Sequence, residues 1–325
     1  MHIGGELPLA RTYYEAVTDS GRSSLRLILD SGLGRKKFLL PDFLCGIVVD
    51  VLKERGVRFG FYKVHRDLSI DWDDVRRQRF DVLYCIDYFG QPTRPPASLG
   101  AEKTVLWDQV FTALLRVPRW DGPWCALNSL RKVTPLADGS FVRATFPLAL
   151  AKIVRREGRF SGYKYQAKQQ KAAYFTAGHG QESDYLSLFL KGERALDRQV
   201  KPYGMSLGSQ ALLPDLFARF EDEQRRRKEN YLTLRRKLAS WEVVLASDEY
   251  SFFVLRVPQG RDALRRYLFS RKIFLPAHWP CPAGLDNVLY RELLSIPLHG
   301  IYTRKMMAAA GTWIARFLKD QRGGL

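Results

Sequence analysis

The apolar positions divide the chain into two regimes. Between residues 37 and 127, short apolar runs alternate with amphipathic stretches. Lys37–Leu40, Val57–Tyr62, Asp81–Tyr88 (DVLYCIDY), Lys103–Trp107 and Trp124–Leu127 read as strands, bounded by polar or turn residues. Phe43–Glu54, closed by Gly56, predicts a helix, and Trp72–Arg77 a shorter one. Strands that are apolar on both faces and alternate with helices predict a mostly parallel sheet covered by helices. Upstream, within Tyr13–Leu33, Leu25, Ile28 and Leu29 recur at helical spacing. Asp19-Ser20-Gly21-Arg22-Ser23-Ser24 precedes them as a helix start.

Further along the pattern changes. Ser183–Val200 predicts an amphipathic helix, Tyr203–Leu213 a polar connection, and Pro214 to about Ala239 a long helix. Trp241–Ala246 and Ser251–Val257 then read as strands, Arg261–Ser270 as a helix and Lys272–Leu275 as a short strand. Leu293–Pro297 precedes a last helix, Thr303–Leu318. The expected architecture is α/β: a large three-layer domain over residues 1–204, then a smaller α+β domain over 205–325.

Composition narrows the class. A hydrophobic content of 46% with 13% aromatics suits a folded globule. No apolar run approaches the ~20 residues of a membrane-spanning helix. The N-terminal MHIGGELPLARTYYEAV lacks a basic segment followed by an apolar one, so a cytoplasmic location is expected. Four cysteines and five histidines lie scattered, with no zinc spacing, and no metal is expected. The net charge of +18 is spread along the chain. Its densest cluster, Arg225–Lys228, falls in a helix rich in Glu and Asp and reads as a solvated face. Nucleic-acid binding is therefore disfavoured, and an anionic substrate or cofactor fits the charge.

In open α/β sheets ligands bind beyond the carboxyl ends of the strands. Asp108 stands at such an end. By position alone it reads first as the N-cap of a predicted helix, Gln109–Leu115, and second as a carboxylate kept for a ligand. Lys132 lies in Asn128–Ser140 (NSLRKVTPLADGS), after the strand Trp124–Leu127; alone it reads as an ordinary surface lysine. Gly21-Arg22-Ser23-Ser24 offers helix-start amides, two hydroxyls and a guanidinium to a phosphate, or simply caps a helix. Together the three match the needs of pyridoxal phosphate (PLP): a phosphate cradle, a carboxylate for the ring nitrogen and a lysine for the aldehyde.

SGRSSL (Ser20–Leu25), LLPDFLCGIVVDVLKERG (Leu39–Gly56), DYFGQP (Asp87–Pro92), WDQVFTALL (Trp107–Leu115), SLRKVTPLADGS, RRRKENYLTLRRKL (Arg225–Leu238), LPAHWP (Leu275–Pro280) and LLSIPLHG (Leu293–Gly300) occur in this order. In motifs and spacing the chain resembles the DegT/DnrJ/EryC1/StrS sugar aminotransferases over nearly its whole length. The resemblance implies the aspartate-aminotransferase fold, PLP as cofactor, a keto-sugar substrate (nucleotide-linked) with an amino-acid donor, and a homodimer. It makes Lys132 the lysine that holds the cofactor aldehyde and Asp108 the partner of the ring nitrogen. Gly21, Arg22, Ser23 and Ser24 become phosphate ligands, with Ser129 and Arg131 as further candidates. Phe43 is the candidate ring-stacking aromatic, and His278 and Trp279 are candidates to line the sugar pocket. The chain departs from the family at three places. Phe111 stands three residues after the aspartate, where His or Gln is common. Ser140 replaces the second glycine of a turn. The asparagine expected from a partner subunit has no counterpart in KPYGMS. These departures keep two alternatives open: a catalytically altered PLP-fold protein with a binding role, and a basic binder of nucleic acid or anionic surfaces.

Overall fold

The computed structural model describes residues 13–155, 157–245 and 248–322. The reading of the first twelve residues lies outside these, as does Ala246 at the end of a predicted strand. The main sheet contains β1 (Tyr14–Thr18), β2 (Phe38–Pro41), β3 (Phe59–Tyr62), β4 (Val82–Ile86), β5 (Thr104–Asp108), β6 (Trp124–Leu127) and β7 (Ser140–Ala144). Their order is β1-β7-β6-β5-β4-β2-β3. Strands β3, β2, β4, β5 and β6 are parallel neighbours, whereas β7 runs antiparallel to both β6 and β1. Every residue of β2, β4 and β6 is buried, as two-sided cover by helices requires. Each fully buried aliphatic side chain contributes roughly 1.5–3 kcal/mol.

A second, antiparallel sheet joins β8 (Val243–Leu245), β9 (Phe252–Arg256) and β10 (Leu293–Pro297) in the order β10-β9-β8. The period-2 alternation of β9 serves two cores at once. Phe252 and Val254 join the core of the main sheet, with Trp279, Leu289 and Tyr290. Phe253 and Leu255 join a second core with Leu234, Leu264 and Ile314.

Several expectations are corrected. No helix follows Asp108, because the local donors are engaged elsewhere. Gln109 N bonds Leu127 O on β6, Val110 N bonds the Asp108 side chain, and Gln109 Oε1 accepts from Arg116 N. Lys272–Leu275 forms no strand. The helix expected from Pro214 to Ala239 divides into Leu213–Ala218 and Phe220–Lys237. The polar connection contains a short helix, Leu207–Ala211. Unanticipated are β1, β7 and the helix Arg159–Ala177, which forms a hairpin with Glu182–Asp197, the helix expected over Ser183–Val200. Among the described residues no helix is long and apolar enough to cross a membrane. Cys85 and Cys125 are buried, Cys45 is half-buried and Cys281 is exposed; all four are free thiols.

Candidate active site

Parallel strands place the carboxyl ends of β4, β5 and β6 on one edge, and β1, antiparallel to β7, ends there too. Three sequence-predicted groups meet at this edge. Asp108 is the last residue of β5. Lys132 sits in the short helix Leu130–Val133 just beyond β6. The helix Gly21–Asp30 starts three residues after β1, with Ser20 as N-cap accepting from Ser23 N at 3.2 Å. A Cβ added to Gly21 would lie 3.4 Å from Asn128 O and 3.8 Å from Ser129 Cβ, so the helix start abuts the lysine segment.

Asp108 is 5% exposed. Tyr84 Oη donates to its Oδ2 at 2.7 Å and Val110 N to its Oδ1 at 3.1 Å. Burial pushes its pKa up to about 6, opposed by the Lys132 charge and by these two hydrogen bonds. The buried pocket also holds the Lys132 amine below its ordinary value. Cys45 and Asp108 oppose that effect, and Arg131 and Arg22 reinforce it. Among the described residues Lys132 Nζ makes no hydrogen bond or ion pair; it lies 5.8 Å from the centroid of the Phe111 ring. A lysine of this kind is a nucleophile nearer neutrality than a surface one.

Aromatic side chains wall the lysine. Phe111 stacks on Phe89 with centroids 4.7 Å apart and meets Phe252 and His278 edge-on. His278 is held neutral, with a pKa near 3, by burial and the Lys132 charge. Its Nδ1 is buried and has no partner among the described residues. Trp279 bridges Phe111 and Phe43. Phe43, expected to stack on a ligand ring, is fully buried against Tyr88, Trp279 and Tyr290. Its faces are already occupied by protein.

On the helix-start side the hydroxyls are engaged internally. Ser23 Oγ accepts from Tyr203 N at 3.2 Å. Ser24 Oγ lies 2.8 Å from Thr18 Oγ1 and 2.6 Å from Ser140 Oγ, and Ser140 donates to Asn128 O at 2.5 Å. Ser140, the departure from the family's turn, thus ties the first helix to the lysine segment. The amides of Gly21 and Arg22 remain without a protein acceptor among the described residues, as first-turn amides do. Around them stand Arg22, paired with Asp197 at 2.5 Å, and Arg131, paired with Glu193 at 3.3 Å.

Several residues that position the site escaped the sequence reading. Tyr84 holds Asp108 but sits inside an apolar strand, where a tyrosine reads as core. Arg227 reaches from the helix Phe220–Lys237 to donate to Val133 O, beside the lysine. Asp138 accepts from Ser161 and Ser206, and Lys168 donates to Pro135 O and Leu136 O; both brace the segment after Lys132. Of these only Arg227 carried a signal, as the middle of an RRRK run.

No family model and no curated protein matches the sequence. Solved structures do. A DegT DnrJ EryC1 StrS aminotransferase from Brucella abortus superimposes with a TM-score of 0.64 at 15% identity, covering 93% of this chain and 85% of that one. The chain has the fold of these aminotransferases. Helicobacter pylori PseC, an aminotransferase involved in the biosynthesis of pseudoaminic acid, gives a TM-score of 0.63 at 13% identity, with coverages of 94% and 87%. DesV of S. venezuelae, solved with a ketimine intermediate, gives 0.62 at 16% identity, with coverages of 93% and 84%.

The donor set fits the cofactor expected from this fold. An amine held below its usual pKa, a buried carboxylate and open helix-start amides share one sheet edge. A cavity of about 310 Å³ lies elsewhere, between residues 67–70 and 91–94.

Proposed function

We propose that the chain is a PLP-dependent aminotransferase that moves an amino group from an amino acid to a keto-sugar, nucleotide-linked on family resemblance. The observation that carries this reading is the pair at the ends of β5 and β6: a buried Asp108 and a lysine kept from full basicity beside it. PLP supplies an electron sink for the substrate carbon. Lys132 would hold its aldehyde and, when released, carry a proton to and from that carbon; a depressed pKa is what this shuttle requires. Asp108, ionised above about pH 6, would keep the ring nitrogen protonated. The Gly21 and Arg22 amides, Ser129, Arg22 and Arg131 would hold the phosphate. Ser23 and Ser24 would contribute chiefly by shaping that helix start. Phe111 offers the ring only an apolar contact. His278 and Trp279 would border the sugar, with the His278 imidazole neutral throughout the working pH range. The diphosphate of a sugar nucleotide suits the +18 charge.

The reading includes a homodimer and a cytoplasmic location. One specific observation favours a second reading, a non-catalytic protein of this fold: Phe43 and Phe111 are fully buried by their neighbours. One experiment decides between the two. Purified protein is incubated with PLP and reduced with borohydride, and the adduct is mapped by peptide mass spectrometry. The aminotransferase reading expects modification at Lys132, loss of it in Lys132→Ala, and glutamate-dependent amination of keto-sugar nucleotides. Absence of any Lys132 adduct sinks that reading. An adduct without amination leaves the binding role standing.

A further inference from the structure

Asp87 belongs to none of the roles above, yet it is 2% exposed at the same sheet edge. It follows Ile86, the last residue of β4, and its amide donates to Asp108 O at 3.0 Å. Its side chain closes a turn by accepting from Thr93 N at Oδ1, 2.8 Å away, and its backbone carbonyl accepts from Gly90 N at 3.0 Å. Thr93 is fixed further by its own bond to Ile86 O and by Trp107 Nε1, while Arg116 donates to Gly90 O.

This turn holds Phe89 at φ 52°. A side chain in that left-handed region carries a steric cost, so its surroundings must hold it there. The conformation lays the Phe89 ring on Phe111 at 4.7 Å, and Phe111 in turn faces Lys132 Nζ. The same wall borders the half-buried Lys132, and loss of water around the amine is the first cause of its depressed pKa.

We propose that Asp87 is a positioning residue for Lys132: its side chain pins the turn 87–93, which presses Phe89, and through it Phe111, against the lysine amine. The clamp rests on an accepting oxygen and not on charge. The groups facing Asp87 agree with that. Burial holds its pKa up near 7, with Asp108 adding to the rise, while Thr93 and Arg116 pull it down. The Oδ1 atom accepts in either protonation state.

The test reads the lysine and is independent of aminotransfer. Competitive labelling with trace acetic anhydride across a pH series, with peptide mass spectrometry, gives the reactivity of Lys132 relative to exposed lysines. Melting temperature is followed in parallel. Asp87→Asn keeps the accepting oxygen and should leave the Lys132 profile as in the native protein. Asp87→Leu removes it and should lower Lys132 reactivity at pH 8 about threefold or more, as water enters and the amine regains its proton. Thr93→Pro deletes the same bond from the donor side and should act alike, which covers the case in which Asp87→Leu does not fold. A melting temperature that falls in Asp87→Leu or Thr93→Pro with an unchanged Lys132 profile overturns the proposal. So does an Asp87→Asn protein whose lysine behaves as in Asp87→Leu.

Discussion

Tyr84→Phe removes one atom from the best-defined contact in the site. Tyr84 is 1% exposed and its hydroxyl donates to Asp108 Oδ2 at 2.7 Å. Its carbonyl, which accepts from Tyr62 Oη at 2.9 Å, is untouched by the change. A hydrogen bond to a charged acceptor is worth about 1.5–3 kcal/mol, and one to a neutral acceptor about 1 kcal/mol. The bond therefore favours the ionised carboxylate, and losing it should raise the Asp108 pKa from about 6 to roughly 7. The sign for stability follows. A carboxyl group raised on folding costs stability as pH climbs past its unfolded value near 3.8, and the cost is complete above its folded pKa. Native and variant proteins both bury a protonated Asp108 near pH 5, where the variant should lose about 1 kcal/mol. Near pH 9 both bury the ion, and the variant should lose about 2–3 kcal/mol. Urea unfolding at half-unit steps between pH 5 and 9 measures the difference, in which other titrating groups largely cancel. A difference that stays flat with pH, or shrinks as pH rises, would refute the assignment of Tyr84 as the stabiliser of the Asp108 carboxylate.

Four further outcomes are expected. Asp87→Asn removes a group raised from 3.8 to about 7, so its stability relative to the native protein should grow by up to roughly 4 kcal/mol between pH 4 and pH 8, as read by urea unfolding. His278→Phe deletes a buried, unpartnered Nδ1 among aromatic rings and should raise stability by about 1 kcal/mol; a loss would show that this nitrogen has a partner in solution. Ser140→Ala strips Asn128 O and Ser24 Oγ of a buried partner and should cost about 1–3 kcal/mol in chemical unfolding. Glu193→Gln unpairs Arg131 and Lys164 at a half-exposed position and should cost under about 1 kcal/mol. Added phosphate should recover that loss better than chloride at equal ionic strength if the helix start binds anions.

The parallel core was legible because its strands are apolar on both faces and are punctuated by turn residues. DVLYCIDY and KTVLW can hardly be placed elsewhere, and they become β4 and β5. The edge strand β1 and its neighbour β7 were not legible. In β1, YEAVT, the first two residues and Val17 are exposed, and the strand is held by pairing with β7 and not by burial. The helix expected after Asp108 failed for a related reason. Its residues have adequate propensity, but Gln109 N finds a better partner on β6, and tertiary bonds override a weak local preference. Without that helix the N-cap reading of Asp108 falls away, and a carboxylate buried at a strand end needs another use.

Lys132 shows how far residue types can be read and where geometry must take over. The sequence supplies a lysine, an aspartate and a helix start, but the environment that sets the lysine's chemistry comes from side chains remote along the chain. The desolvating wall combines Phe89, Phe111, Phe252 and His278, which span nearly two hundred residues and meet only because β9 turns alternate side chains into the main core. The cationic flank depends on the hairpin Arg159–Asp197, which has no apolar stripe to announce it on its first helix. It is fixed instead by polar contacts: Ser161 to Asp138, Lys168 to the carbonyls of Pro135 and Leu136, Glu193 to Arg131 and Lys164, and Asp197 to Arg22. Arg22 and Arg131 near the positive end of a helix dipole are mutually unfavourable, and both push the Lys132 pKa down. The two hairpin acids offset that repulsion without meeting Lys132 itself. The arrangement leaves the amine out of any close ion pair among the described residues, with only the more distant Asp108 charge to oppose desolvation, while its cationic neighbours have partners; a nucleophilic lysine needs this electrostatic condition.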